Sequence, residues 1–208
     1  QALPSMSIEI GAPEIPAYTV NRGARGNQMR IAMSRSGQLN ATCSLICIGE
    51  TDPAATSAGP ASPTALDTLR FPQATGYVNK GGQALGSVVG ADFTFSNNLE
   101  KVETIQADGR IEDSDPGMAQ ATGSITVRFA DLALLAAATS GVPVDLVFGW
   151  SLGNGYALMF TVPRVFLPKP KRPITGPNGI QAQFDWQASR GAAGFSVSAT
   201  LKTDVQSY

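Results

Sequence analysis

The chain contains no histidine. That absence removes Ser-His-Asp catalysis, Cys-His catalysis and His-ligated metal sites from within this sequence. Charge is scarce as well: Asp, Glu, Lys and Arg make up 15% of the 208 residues, against roughly 25% in ordinary soluble domains. The surface is therefore left to Ser, Thr, Gln and Ala, which suits a subunit that buries much of its exterior against neighbours. A formal net charge of −1 supplies no general attraction to nucleic acid or to anionic membrane. No apolar run approaches the ~18 residues that span a bilayer, so no membrane insertion by this chain is expected. The opening QALPSMSIEI lacks the basic-then-apolar order of a signal peptide and begins at Gln1 rather than Met, so residues upstream are expected to have been removed or to be missing. Cysteine is limited to Cys43 and Cys47 in TCSLICIG. On a strand their Cα atoms lie roughly 13 Å apart, beyond disulfide reach, and C-x3-C without further ligands makes no zinc site. Both are expected to be small buried apolar side chains.

Turn formers are abundant instead. Gly 22 and Pro 14 make up about 17% of the chain, above a usual ~12%, which points to many short strands. Period-two alternation locates them. Val89-Ala91-Phe93-Phe95, Ile125-Val127-Phe129, Ile180-Ala182-Phe184-Trp186 and Phe195-Val197-Ala199-Leu201 each interleave with polar residues, so each predicts a strand with one buried and one polar face. Val144-Leu146-Phe148-Trp150-Leu152 and Tyr156-Leu158-Phe160-Val162 flank Gly153-Asn154-Gly155 and predict a tight hairpin. One helix is expected over about 131–140: Asp131 can cap it, Leu132 and Leu135 share a face, and Gly141 and Pro143 stop it.

The chain divides by composition. Residues 1–50 hold three expected strands, Ser5–Ile10, Gln28–Ser34 and Leu39–Ile48. A Pro/Ala/Ser/Thr-rich linker or long loop follows over 51–75, and residues 76–208 form the main β domain. Charge is segregated along the chain. Residues 21–40 carry Arg22, Arg25, Arg30 and Arg35 and no acid. Residues 71–117 are net −4 through Asp92, Glu100, Glu103, Asp108, Glu112, Asp113 and Asp115, and residues 164–190 are net +4. Complementary patches on one chain suit head-to-tail self-association.

Sharper motifs weaken on inspection. DSDPG at 113–117 lacks the spacing of a calcium loop. Gly81, Gly82, Gly86 and Gly90 lack the G-K-[ST] and following helix of a phosphate loop. Lys169-Pro170-Lys171-Arg172-Pro173 reads as a surface loop. Glu112 and Asp113 could pair as glycosidase carboxylates, but Gly and Pro beside them predict a mobile loop. No cofactor or metal is expected, and no enzyme activity.

Residues 80–201 carry an ordered set of elements: FTFSNNLE (93–100), an acidic Gly-containing loop, Thr-Gly-Ser-Ile-Thr-Val (122–127), Phe-Ala-Asp leading into the helix (129–131), the hairpin, Val-Pro-Arg-Val (162–165), a Gly-Ile strand (179–188) and a last strand. This order resembles the tail tube proteins of long, flexible-tailed (siphovirus-type) bacteriophages. The earlier SMSIEI…GARGNQMRIAMSRSGQLNATCSLICIGE is similar to the second half of a first tube domain in two-domain members. The resemblance implies a mainly β fold, a β-sandwich or partial barrel with one short flanking helix, whose subunits join into a continuous β-barrel. It implies trimeric or hexameric rings stacked into a tube in the virion tail, assembled in the cytoplasm of the bacterial host. The implied partners are further copies, a tape-measure protein, a tail terminator and tail-tip proteins, with DNA passing through the lumen without specific binding. Glu100, Glu103, Asp108, Glu112, Asp113, Asp115, Arg22 and Arg25 become candidates for contact between rings. Gln181, Gln183, Asp185 and Gln187 are candidates for the lumen wall, because a channel for DNA should not offer rows of Lys and Arg. Other classes stay open at this point: a capsid decoration protein, a baseplate component, a contractile or secretion tube, or a carbohydrate-binding β-sandwich. The last is disfavoured because Trp150 and Trp186 fall on apolar strand faces.

Overall fold

The computed structural model describes residues 3–60, 68–105, 107–128, 133–169 and 181–204. Among the described residues the architecture is mainly β, with one α-helix and a single 3-10 turn at Gln73–Thr75, as the alternating patterns predict. The chain forms two compact units. The first comprises Gln1–Met29, Thr42–Thr68 and Ser96–Ala119, and the second Arg30–Ala41, Leu69–Phe95 and Gln120–Tyr208. The acidic stretch thus belongs to the same unit as the N-terminal strands.

In the first unit β1 (Met6–Ala12) pairs antiparallel with the start of β2 (Ala17–Met33), Ile10 facing Thr19 and Ala12 facing Ala17. β2 begins eleven residues before the strand expected at Gln28; its first part, AYTVNRGARGN, mixes Gly and Arg and has no alternation to read. β3 (Ala41–Ile46) is exposed from Ala41 through Leu45. Cys43 is accordingly exposed and Cys47 half-buried, which corrects the expectation that both are core residues: alternation marks a buried face only where a second layer covers the strand. β4 (Gly49–Glu50) pairs with β2 at Arg22 and Asn21.

The described part of the Pro/Ala/Ser/Thr-rich stretch is tethered rather than loose. Ala54 and Tyr18 exchange both backbone hydrogen bonds at 2.9 Å. Glu9 on β1 accepts hydrogen bonds from Ser57 Oγ and from the Ala58 amide, each at 2.5 Å. Residues 61–67 of that stretch lie outside the described residues. The Ser57 hydroxyl, followed by the Ala58 amide, holds the Glu9 carboxyl below its ordinary value. A depressed folded-state pKa favours the tethered form above the unfolded-state pKa of about 4.3, and that contribution disappears as pH falls through the lower, folded value. The Ala58 amide proton is therefore expected to move upfield in NMR titration as Glu9 protonates below pH 4.3. In Glu9→Gln the step should vanish; a step that survives would place the titrating group elsewhere.

The second unit is one antiparallel sheet folded over on itself. Its strands are β5 (Gly76–Lys80), β6 (Gln83–Ala84), β7 (Val88–Ser96), β10 (Gln120–Arg128), β11 (Val144–Ser151), β12 (Ala157–Phe166), β13 (Gln181–Ala188) and β14 (Ser198–Lys202). The order is β7-β10-β13-β12-β11-β5-β6, with β14 alongside β12. β7 pairs in turn with β2, and the path does not close on itself, so the sheet is a partial barrel. Phe93 on β7 lies four places from β11, yet its ring centroid is 6.1 Å from that of Phe148 on β11 and 5.0 Å from that of Phe160 on β12. Trp186 on β13 completes the cluster, 5.5 Å from Phe148 and 6.0 Å from Phe93. These rings, with Ile125, Leu146, Val162 and Val165, are the core of the unit.

The hairpin forms as expected. Ser151 faces Ala157, Leu152 donates to the Tyr156 carbonyl at 2.9 Å, and Gly155 takes φ +82°, where a side chain would be strained. A bulge interrupts the ladder farther along: Leu146 faces Val162, but Val144 faces Val165. The extra residue sits at Pro163-Arg164, where a missing N–H costs least. It also reverses which parity is buried, so Phe160 and Val162 give way to Val165 and Leu167. The helix α1 (Ala133–Ser140) follows β10 and ends at Gly141, whose φ is +67° and whose amide reaches the Ala137 carbonyl at 3.1 Å. Its buried stripe is Leu134 and Ala138, with Leu135 only half-buried. The capping residue Asp131 and Leu132 lie outside the described residues.

Two further expectations are corrected here. Val89 begins the β7 alternation but is 48% exposed, because nothing covers the start of that strand. The last alternation yields the short β14, on which Ala199 and Leu201 are exposed, with Phe195 exposed before it. β14 pairs with β12 from Ser198↔Thr161 to Lys202↔Ala157, and its apolar positions are left without a covering layer.

Candidate functional site

The most regular polar surface is one face of β13. Gln181, Gln183, Asp185 and Gln187 are all exposed, while Ala182, Phe184 and Trp186 between them are buried. The full β10–β13 ladder holds that alternation in register, with Gln187 facing Thr122, Asp185 facing Ser124, Gln183 facing Thr126 and Gln181 facing Arg128. The polar row is thereby doubled. Ser124 Oγ donates a short hydrogen bond to Asp92 on β7, which extends the face to a third strand. Gln183 Nε2 donates to Asp185 Oδ1 at 2.9 Å. A shallow depression of about 690 Å³ opens over Asp92, Ser124, Asp185 and Phe166. Two carboxylates, several amides and hydroxyls and one arginine, Arg128 at the Gln181 end, thus form one polar face. The sequence shows the polar parity of each strand, but not that Asp92, Thr122, Ser124 and Thr126 join the β13 row. That needs the strand order.

The acidic stretch forms an arm rather than a free loop. β8 (Glu100–Val102) and β9 (Asp113–Asp115) pair antiparallel, with Glu100 opposite Asp115. Like charges directly opposed on a sheet destabilise it, while Arg25 anchors the neighbouring residues of β9. Its Nη1 donates to Asp113 Oδ1 at 2.5 Å and to the Ser114 carbonyl at 2.8 Å; Ser114 is buried. This corrects the expectation of a mobile loop at Asp113. It also means that Arg25 and Asp113, both candidates for contact between rings, are joined to each other within the chain. Asp108 pairs with Arg110 at 3.2 Å. Arg22, Glu100, Glu103, Glu112 and Asp115 remain exposed.

Three asparagines fix the base of the arm. Asn97 Nδ2 donates to the Gly26 carbonyl at 2.8 Å, Asn98 Nδ2 to the Met118 carbonyl at 2.8 Å, and the Leu99 amide to Asn27 Oδ1 at 3.0 Å. Asn98 takes φ +46°, a left-handed conformation that asparagine tolerates better than most residues. The Asn-Asn-Leu signal is visible in the sequence; its role as a clamp is not. Lys169 is the only described residue of the basic Pro-rich segment, and 170–173 lie outside the described residues.

Among the described residues no three His, Cys, Asp or Glu converge as a metal site, and no helix is long and apolar enough to cross a membrane. Trp150 and Trp186 are buried and offer no platform for stacking a sugar. Fold and site together define a class: an antiparallel β structural protein that presents a polar strand face and a clamped, charged arm. The phage tail tube protein family matches residues 3–188. The chain belongs to that family and is a structural subunit of a tail tube, a component of the virion tail. No curated protein matches it. Among solved structures it is similar to the anti-feeding prophage cap, the AFP tube terminating cap seen by cryo-EM, at 13% identity and a TM-score of 0.46, over 70% of this chain and 100% of that one.

Proposed function

We propose that copies of this chain form closed rings that stack into a tube, with the shared polar face of β10 and β13 turned to the lumen. Sheets of neighbouring copies join edge to edge into a continuous barrel, and the clamped acidic arm contacts the next ring. The role is structural rather than catalytic. In a long flexible tail the tube encloses a tape-measure protein during assembly, is closed by terminator and tip proteins, and passes DNA at ejection. The observation that carries this reading is the exposed row Gln181, Gln183, Asp185 and Gln187 over a fully buried partner row. Each lysine or arginine in a DNA channel would release counterions on contact and hold the polymer. Along β13 this face presents none, and on the β10 side of the shared ladder it presents one, Arg128 at the end opposite Gln181.

The test is negative-stain electron microscopy of the purified chain, followed by duplex-DNA retention. Hollow rings or tubes are expected, with three or six copies per ring. Wild-type tubes should not retain a labelled duplex at 50 mM salt. Gln183→Lys/Gln187→Lys tubes should retain it and release it as salt rises, with a slope near one per lysine engaged. Unchanged DNA behaviour in well-formed mutant tubes would remove this face from the lumen.

A further inference from the structure

We infer that the tip of the acidic arm, Ile105, docks into a preformed apolar groove on the second unit of another copy of this chain, with Glu103 of the arm paired to Arg35 at the groove rim. The inference rests on the tube reading above and names the receptor for the arm.

Ile105 is fully exposed. A lone exposed isoleucine is unremarkable by itself. This one lies three residues beyond β8, on an arm whose other strand is held by Arg25 and whose base is held by the asparagine clamp. Burying such a side chain is worth about 1.5–3 kcal/mol. The groove has about 590 Å³ of open volume and is lined by Met33, Tyr77, Val78, Leu85, Val88 and Val89. Val89, exposed against its strand's alternation, lies on this wall.

The wall is rigid before anything binds. Gln73, itself buried, donates to the Ala32 carbonyl at 2.8 Å and accepts from the Ser34 amide and from Trp150 Nε1, both at 3.4 Å. A preformed groove loses little entropy on docking. The fit is also electrostatic. Arg35 is the one charged residue lining the groove, and it and Glu103 are both exposed. Knob and groove are different patches of one chain, so their contact is head-to-tail and repeats from copy to copy. That is the geometry a stack requires.

Disulfide trapping tests the contact, in full chains carrying Cys43→Ser and Cys47→Ser. One chain adds Ile105→Cys and the other Val89→Cys; the two are mixed, concentrated and mildly oxidised. The expected product is a heterodimer cross-link that forms with assembly and is absent when either chain is oxidised alone. Ile105→Asp should raise the concentration for assembly at least tenfold and leave the melting temperature of the unassembled chain unchanged, because Ile105 is fully exposed. Glu103→Arg and Arg35→Glu should each weaken assembly, and the double exchange should restore it. Tubes that form without the cross-link, and without rescue by the exchange, would overturn the groove while leaving the tube reading in place. A chain that stays monomeric and uncross-linked at its solubility limit would overturn both.

Discussion

Phe93→Ala is expected to lower the stability of the second unit by about 3–5 kcal/mol, the usual cost of deleting a buried phenylalanine. The ring is 1% exposed and touches three other aromatic rings, those of Phe148, Phe160 and Trp186. Those partners come from β13, β12 and β11, two, three and four places from β7 in the sheet order, so Phe93 packs across the fold of the sheet. Removing it leaves a cavity that neighbouring rings cannot fill without tilting out of their stacks. A domain of ordinary stability has only about 5–15 kcal/mol in hand. Urea unfolding followed by tryptophan fluorescence reports the change directly, since Trp150 and Trp186 lie in the same core. A loss under about 1 kcal/mol would show that the sheet is held closed by its edges rather than by this cluster. Phe93→Leu should recover a large part of the loss, because it restores most of the buried area.

Gly123→Val should do comparable damage by the opposite route. A Cβ at Gly123 would collide with the Asp92 carbonyl oxygen on one side and would stand 2.7 and 2.8 Å from two carbons of the Trp186 indole on the other. The backbone neighbour cannot yield by rotating a side chain, and the indole is packed against Phe93 and Phe148. Overpacking alone typically costs about 1–3 kcal/mol; the clash with the Asp92 backbone adds to that. The expected outcome is soluble protein with a broadened, lowered melting transition and no assembly, since the polar row of β10 and β13 loses its register. Gly123→Ala should be milder but still destabilising. A Gly123→Val chain that melts like the wild type and builds tubes would mean that β7, β10 and β13 can part enough at this point to admit a side chain. Trp186 Nε1 has no hydrogen-bond partner among the described residues, so the core around it already carries one unsatisfied donor and has little tolerance for displacement.

Some of this was open to reading from residues alone. Along β13 every second side chain is apolar, from Ala182 to Trp186, and the exposure of Gln181, Gln183, Asp185 and Gln187 follows from the two-residue period of a strand. The hairpin at Gly153-Asn154-Gly155 and the helix stop at Gly141 were equally legible, because positive φ demands particular residues. The same period misled at Cys43, Val89 and Leu201. There the strand exists or begins, but no second layer lies over its apolar side. Alternation reports which side chains share a face and is silent on what covers that face.

The sequence by itself determined the mainly β class, the absence of any histidine chemistry, the polar parity of β13 and the segregation of acidic from basic stretches. These depend on composition and on local geometry, which act over a few residues. Only the tertiary structure decided that Asp92 and Ser124 extend the β13 face. Only it showed that Arg25 is spent on Asp113 and Ser114 rather than left for a neighbour, and that an apolar groove with a single arginine lies beside Val89. Those facts join residues 32, 88 and more than 50 positions apart. Strand order brings them together, and strand order is set by how apolar faces from the whole unit bury one another, which no local pattern encodes.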